Sequence, residues 1–286
     1  MKIFKFDGHF HPDIPTLERT LSIGMARGMH GLFPTCYRST DAFDAIANNN
    51  YQGKRILEPK YWDVKRTADP RVLRVDHDNI GSLHTIYIGM AQEVQSSEGD
   101  VLGWGIHTTI QPGKDIQTTV QEILDQEGIA VLAHPCAALF GGCGIKKLKE
   151  LAKTFEGKPI ALELNAQYPR FSIHAIDFNA QAQEFAAKYN IALFHNSDTH
   201  PYLNHNDKFG DSLHNAVKSN IRDNIFGSLS TIAKRNLQTL VIPEGTYNTF
   251  KETASWWFAP SPNKIKRSKS QKLLDAAKHM IRGLGR

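Results

Sequence analysis

The apolar residues of this chain fall into short runs separated by stretches of helical spacing. Residues 2–6 alternate in the manner of a strand, where successive side chains point to opposite faces. Within 118–127, Val120, Ile123 and Leu124 recur at helical spacing, and Gly128 follows as a favoured helix stop. The run 129–133 then reads as a buried strand, 146–155 as a helix and 159–164 as a further strand. In 177–189, Phe178, Ala182, Phe185 and Ala186 share one face of a predicted helix, and 191–194 follows as a strand. Helices and strands alternating at this spacing predict a parallel α/β architecture. Residues 50–79 have no clear period, and the pattern loosens again beyond Ser197. Residues 237–242 read as one more strand before Pro243, Gly245, Pro260 and Pro262 punctuate a boundary.

That boundary separates a body, 1–260, from a tail, 261–286. The composition, 286 residues with 41% apolar and 22% charged, is that of a globular protein and excludes wholesale disorder or a collagen-like chain. The longest apolar runs, such as 129–133, fall far short of the roughly 20 residues that span a bilayer. The opening MKIFKFDGHFHPD places charge and histidine where the apolar core of a leader would lie, so no secretory signal is read. Cys36, Cys136 and Cys143 are an odd count without metal-finger spacing, which argues against a disulfide framework. A soluble, cytoplasmic protein is the expectation.

Charge is concentrated in the tail. Its 26 residues hold eight Lys and Arg against Asp275, a net +7, which leaves −2 on the body out of a total of +5. A body of that charge offers no basic face for nucleic acid. The tail reads as a basic linker and an amphipathic helix, with Leu273, Leu274, Ala277, Met280, Ile281 and Leu284 on one stripe. Such a stripe needs a partner: the body, near Trp256, Trp257 and Phe258, or a second copy in an oligomer. Its basic residues suit an anionic membrane surface or nucleic-acid phosphates as well.

The ends of the predicted strands carry the chemistry. The first runs into Asp7-Gly8-His9-Phe10-His11, and Tyr87-Ile88-Gly89-Met90 leads to Glu93. The strand at Ile129 runs into Ala133-His134-Pro135, and the strand at Ile160 carries Glu163 and ends at Asn165. The strand at Ile191 runs into His195, Asn196, Ser197, Asp198, Thr199 and His200. Functional groups gather at the carboxyl ends of parallel strands. Imidazole and carboxylate are the usual donors for Zn, Mn and Fe, so five strand ends supplying them form a metal-site pattern. His9 and His11, two apart on a strand, can grip one ion from the same side.

Together these motifs resemble the PHP (polymerase and histidinol phosphatase) superfamily of metal-dependent phosphoesterases. Its D-x-H-x-H opening is matched by Asp7, His9 and His11, its bridging Glu loosely by Glu93, and its hAHP by Ala133-His134-Pro135. Its E-v-x-N and SDAH are matched by Glu163-Leu164-Asn165 and Ser197-Asp198-Thr199-His200. The order holds from residue 3 to about 205. The resemblance implies a distorted (β/α)7 TIM-like barrel of parallel strands with its metal site at their C-terminal ends. It implies that His9, His11, Glu93 and Asp198 hold a first ion, Glu93 and His134 a second, and His200 helps with a third. The family's Thr-Asp-His is replaced by Pro34-Thr35-Cys36-Tyr37, so two divalent ions (Zn, Mn or Fe) are expected and the third site is incomplete. Glu98, Asp100 and Asp13 are carboxylates that could substitute for missing ligands, and Glu163 could orient a ligand histidine instead of binding.

The expected activity is hydrolysis of a phosphate ester by metal-activated water, on a small phosphorylated substrate. His195 or His200 would protonate the leaving group, and Arg38 and Arg170 would clamp phosphate. A nuclease-like phosphodiesterase using the basic tail and a non-catalytic metal-binding module are the alternatives. Cys136 and Cys143 flank Gly141-Gly142, a loop that lacks the spacing of a P-loop.

Overall fold

The computed structural model describes residues 3–37, 39–79, 82–168, 177–200, 215–218 and 224–235. The first strand, β1 (Ile3–Phe10), is followed by α1 (Leu17–Ala26), β2 (Gly31–Pro34) and α2 (Asp41–Asn48). Five strands then come in succession: β3 (Trp62–Arg66), β4 (Val72–Asn79), β5 (Ser82–Gly89), β6 (Ala91–Ser96) and β7 (Gly99–Trp104). Helices and strands alternate from there: α3 (Ile116–Asp125), β8 (Ile129–Leu132), α4 (Gly144–Thr154), β9 (Ile160–Asn165), α5 (Phe178–Tyr189) and β10 (Ala192–Asn196). A short β11 (Asn215–Lys218) and α6 (Ile225–Arg235) complete the described elements.

The strands form two mixed sheets. One has six strands in the order β11-β1-β2-β5-β4-β3, the other five in the order β10-β9-β8-β7-β6. The expected barrel of parallel strands is therefore not what the chain builds. Parallel pairing joins β1 to β2, β2 to β5, β8 to β9 and β9 to β10, whereas β3–β4, β4–β5, β6–β7, β7–β8 and β1–β11 are antiparallel. The cause is connection length. Parallel neighbours need a crossover of about a dozen residues or more, and β6 and β7 are joined by a tight turn at Ser97 and Glu98. The segment 50–79, which has no clear period, supplies the edge strand β3 and its inner neighbour β4. The predicted strand 237–242 and the tail 261–286 lie outside the described residues, as does the division between body and tail.

Three apolar clusters set the layers. The interior one joins the facing sides of both sheets, with Phe4, Phe6, Phe33, Leu102, Trp104, Val131 and Phe194, and α6 packs into it through Phe226 and Leu229. On the outer side of the five-stranded sheet, Val120, Ile123, Leu148, Leu151 and Phe185 bring α3, α4 and α5 onto Leu132, Leu162 and Leu164. Leu17, Leu21, Phe43 and Ile46 place α1 and α2 over the other sheet. Asp115 and Asp177 cap α3 and α5, their carboxylates accepting from Thr118 N and Ala180 N. Among the described residues no helix is long and apolar enough to cross a membrane.

The sheets approach one another beside β1 and β10. There Asp198 N donates to His9 O at 2.7 Å, His11 N to Thr199 O at 2.8 Å, and Phe10 bridges Thr199 in parallel.

Candidate metal centre

An extra residue in β1 aims the first two histidines. Between Asp7 and Phe10 the strand advances three residues while β2 advances two, from Leu32 to Pro34. Before this bulge Phe4 and Phe6 face the interior, and Gly8 lies so close to the Trp104 indole that a Cβ would overlap it. After it, Phe10 joins the outer cluster with Leu17 and Leu21, and the imidazoles of His9 and His11 meet. Bulges re-aim side chains in this way beside functional sites. The Asp7 carboxylate holds the distortion by accepting from His9 N at 3.2 Å and Ser197 N at 3.1 Å.

His9 Nε2 lies 3.1 Å from His11 Nε2, 3.3 Å from Asp198 Oδ1 and 3.6 Å from Glu93 Oε2. His11 Nε2 lies 3.1 Å from Glu93 Oε2 and 3.4 Å from Asp198 Oδ1. Four N and O donors at ordinary bond lengths around a tetrahedral ion stand about 3.3–3.6 Å apart, so these spacings fit a divalent metal. All four residues are buried. A second group, Glu93, Asp100 and His134, shares Glu93, whose Oε1 lies 3.6 Å from His134 Nε2. Both groups are chemically suited to Zn, Mn or Fe.

The neighbours of these donors fix their direction. Glu163 Oε1 accepts from His9 Nδ1 at 2.7 Å, which leaves His9 Nε2 as the lone-pair nitrogen of the neutral ring. The other oxygen of Glu163 accepts from His134 N at 2.8 Å, while Asn165 and Asn196 donate to the same carboxylate. Asn165 Nδ2 also donates to Asp198 Oδ2 at 2.9 Å, turning Oδ1 toward the histidines. His134 and Asp198 have φ of 31° and 49°, a left-handed backbone that side chains rarely adopt and that concentrates at functional sites.

Charge reinforces the arrangement. Burial would raise the carboxyl of Glu93, yet His9, His11 and His134 hold it well below the usual range. Asp198 is likewise low, burial being outweighed by His9 and His11. Burial would lower His134, but Glu93, Glu163 and Asp100 bring it up to about 9. Asp100 is pushed up to about 7 by burial and the Glu93 charge. These opposed shifts are those of a cluster of histidine cations and carboxylates in a space from which water is excluded.

No family model matches this chain, and no curated protein matches it in sequence. Solved structures do resemble it. Endonuclease Q, in complex with a 27-mer duplex substrate with an abasic lesion at the active site, matches with a TM-score of 0.50 and 13% identity, over 96% of this chain and 72% of that one. PsfC from Pseudomonas syringae matches with a TM-score of 0.49 and 18% identity, over 78% of this chain and 86% of that one. The likeness is one of fold. It supports a PHP-like fold, here built as two mixed sheets.

The structure brings His9, His11 and Asp198 together in one group and Glu93, Asp100 and His134 in another, so that of the two candidate substitutes Glu98 and Asp100 it is Asp100 that lies among the donors. Asp100 is legible in the alternation of β7, where it shares the inward face with Leu102 and Trp104. Glu98 is turned away, pairing with Lys147 at 2.9 Å and accepting from Ile116 N. Asp13 accepts from Thr16 near the surface. His200 stacks on His11 with ring centroids 4.2 Å apart, and Tyr37 stacks on His11 at 4.5 Å. His200 Nδ1 is 2.9 Å from Asp198 O, which makes Nε2 the acceptor for the Tyr37 hydroxyl at 3.2 Å. Tyr37 thus stands where the resemblance expected a third-site ligand. Burial and the His11 charge hold His200 down to about 3, so its ring is neutral.

His195 lies on the other face of β10 from Asn196 and Phe194, in register with Leu164 of the outer cluster, so strand alternation carries it away from the donors. Arg38 and Arg170 fall outside the described residues. Burial pushes the Cys136 and Cys143 thiols up to about 12, which removes them as nucleophiles at neutral pH.

Proposed function

We propose that this protein is a metal-dependent phosphoesterase holding two divalent ions. The observation that carries the reading is the convergence of the His9 and His11 Nε2 atoms, 3.1 Å apart, with Asp198 Oδ1 and Glu93 Oε2, each of which lies 3.1–3.6 Å from both imidazoles. His9, His11, Asp198 and Glu93 Oε2 would hold one ion; Glu93 Oε1, Asp100 and His134 would hold the other. When bound, such ions supply Lewis acidity: they bring the pKa of a water toward 7 and offset charge on phosphoryl oxygens.

The chain's own residues prepare that chemistry. Glu163 keeps His9 in the binding tautomer, Asn165 keeps Asp198 turned inward, and buried walls exclude bulk water. Tyr37, 36% exposed, and the His200 joined to its hydroxyl lie beside His11, and a substrate would approach from their side. A phosphodiester of a nucleic acid is the second reading. It is favoured by the likeness to Endonuclease Q and by the +7 charge of the tail. Neither the site nor the comparisons favour a small phosphorylated metabolite.

The test is elemental analysis of the wild type and of a His9→Ala/His11→Ala variant, beside hydrolysis of an aryl phosphate and of its bis-ester. Two ions per chain, lost together with hydrolysis in the variant, support the proposal. Preference for the bis-ester supports the nucleic-acid reading, and no bound ion under metal-replete conditions sinks both.

A further inference from the structure

The turn after β9 carries a polar atom that no described residue meets. Tyr168 is 1% exposed, and its hydroxyl has no hydrogen-bond partner among the described residues. A buried tyrosine hydroxyl ordinarily finds one, because desolvating it without compensation is costly. The residue is not loosely placed. Tyr168 N donates to Asn165 O at 3.3 Å, and Asn179 Nδ2 donates to Tyr168 O at 3.3 Å. One residue earlier, Gln167 Nε2 donates at 3.0 Å to both Ser197 O and Asp198 O, tying this turn to the loop that carries a metal donor.

The surroundings of the ring say where the hydroxyl belongs. Phe178 stands nearly perpendicular to it at 5.6 Å and Phe140 at 6.1 Å, and neither carries a polar atom. On another side the ring faces His134 at 5.8 Å, a member of the second donor group. A phenol keeps its proton at neutral pH, so the hydroxyl serves as a donor on the side of the ring that faces the second donor group.

We infer that the Tyr168 hydroxyl is a substrate-binding group, which donates to a phosphoryl oxygen of the ester held at the Glu93–Asp100–His134 group. The inference rests on the phosphoesterase reading and names a contact within it. A phosphoryl oxygen is anionic, a strong acceptor, and brought to that place by the same ions that the donors hold. An unmet hydroxyl in the free protein and a met one in the complex is the arrangement of a site complementary to its ligand and not to its empty form.

The experiment compares wild type with Tyr168→Phe, which deletes one oxygen and keeps the ring. Metal content, melting temperature, inorganic phosphate binding by calorimetry on the metal-loaded proteins, and aryl ester kinetics are measured for both. The expected result is two ions in each, a melting temperature equal or higher in the variant, phosphate bound at least fivefold more weakly, and kcat/KM at least tenfold lower. Equal phosphate affinity and equal kinetics overturn the inference. A lower melting temperature with unchanged phosphate affinity also overturns it, because the hydroxyl then serves the fold. Failure of the underlying reading looks different: metal-loaded wild type neither hydrolyses an ester nor binds phosphate, and the inference falls with it.

Discussion

Glu163 and His9 are joined at 2.7 Å through Oε1 and Nδ1, with the carboxylate wholly buried. The same carboxylate takes His134 N and the amide of Asn165 on its second oxygen. Glu163→Gln replaces one accepting oxygen by an NH2 that faces donors. Metal affinity is expected to fall about 10–100-fold, as for other partners of ligating histidines. Competition against a calibrated chelator measures it; affinity within a factor of two of wild type would show that the pair does not orient His9.

Metal binding must displace protons from the histidines, because only a neutral imidazole is a ligand. In the metal-free protein His134 sits at about 9 and His9 well above its usual value, despite burial, which alone would lower both. Below pH 9 each ion therefore competes with protons, and affinity falls roughly tenfold per unit of pH for each proton released. The stability of the metal-free protein runs in the opposite sense. A histidine raised from 6.5 to about 9 contributes fully below pH 6.5, and its contribution is lost as pH rises through 9. Thermal melts between pH 6 and 9.5 should show the chelated protein weakening while the loaded protein gains. Parallel curves would refute the linkage.

Gly141 closes the second donor group from outside. Its φ is 97°, and a Cβ there would run into the Asp100 carboxylate and the His134 ring. Gly141→Ala is expected to bind one ion per chain in place of two, with hydrolysis reduced at least tenfold and the first group intact. Elemental analysis decides it: two ions per chain in the variant would remove Asp100 from the site.

Gly8 is required for a different reason. Trp104 Nε1 donates to Gly8 O at 2.8 Å, with the indole lying where a side chain would stand. Gly8→Ala overpacks this contact and should cost about 1–3 kcal/mol, read from chemical denaturation. Trp104→Phe removes the donor from a buried carbonyl and should cost a similar amount.

The sequence made some of this visible and hid the rest for identifiable reasons. The stretch from α3 to β10 was legible because its strands are buried on both sides and its helices keep one apolar face; 118–127 corresponds to α3 and 191–194 to β10, each within two residues at the ends. The strand 2–6 continues to Phe10, past the bulge that no periodicity announces. The barrel was not there to be read. No helical pattern separates Tyr87 from Trp104, and that absence is the sign of antiparallel strands that the motif order obscured. Among site residues, histidines next to a strand end were found by their spacing. His195 was misplaced because alternation, not proximity in sequence, decides which face a side chain occupies. Between Glu98 and Asp100, both open from the sequence, the register of β7 with β6 decides, and that is a property of the folded hairpin.

The donors do not belong to one sheet. His9 and His11 come from the strand β1 and the residue after it, in the six-stranded sheet; Glu93, Asp100, His134 and Asp198 come from the other sheet or from the turns that leave it. An ion held between them is a rivet across a seam. Chelation should then do more than silence chemistry. It should loosen the seam between two sheets that share the core of Phe4, Phe6, Phe33, Trp104 and Phe194, so that the chelated protein melts in one transition at a lower temperature than the loaded one.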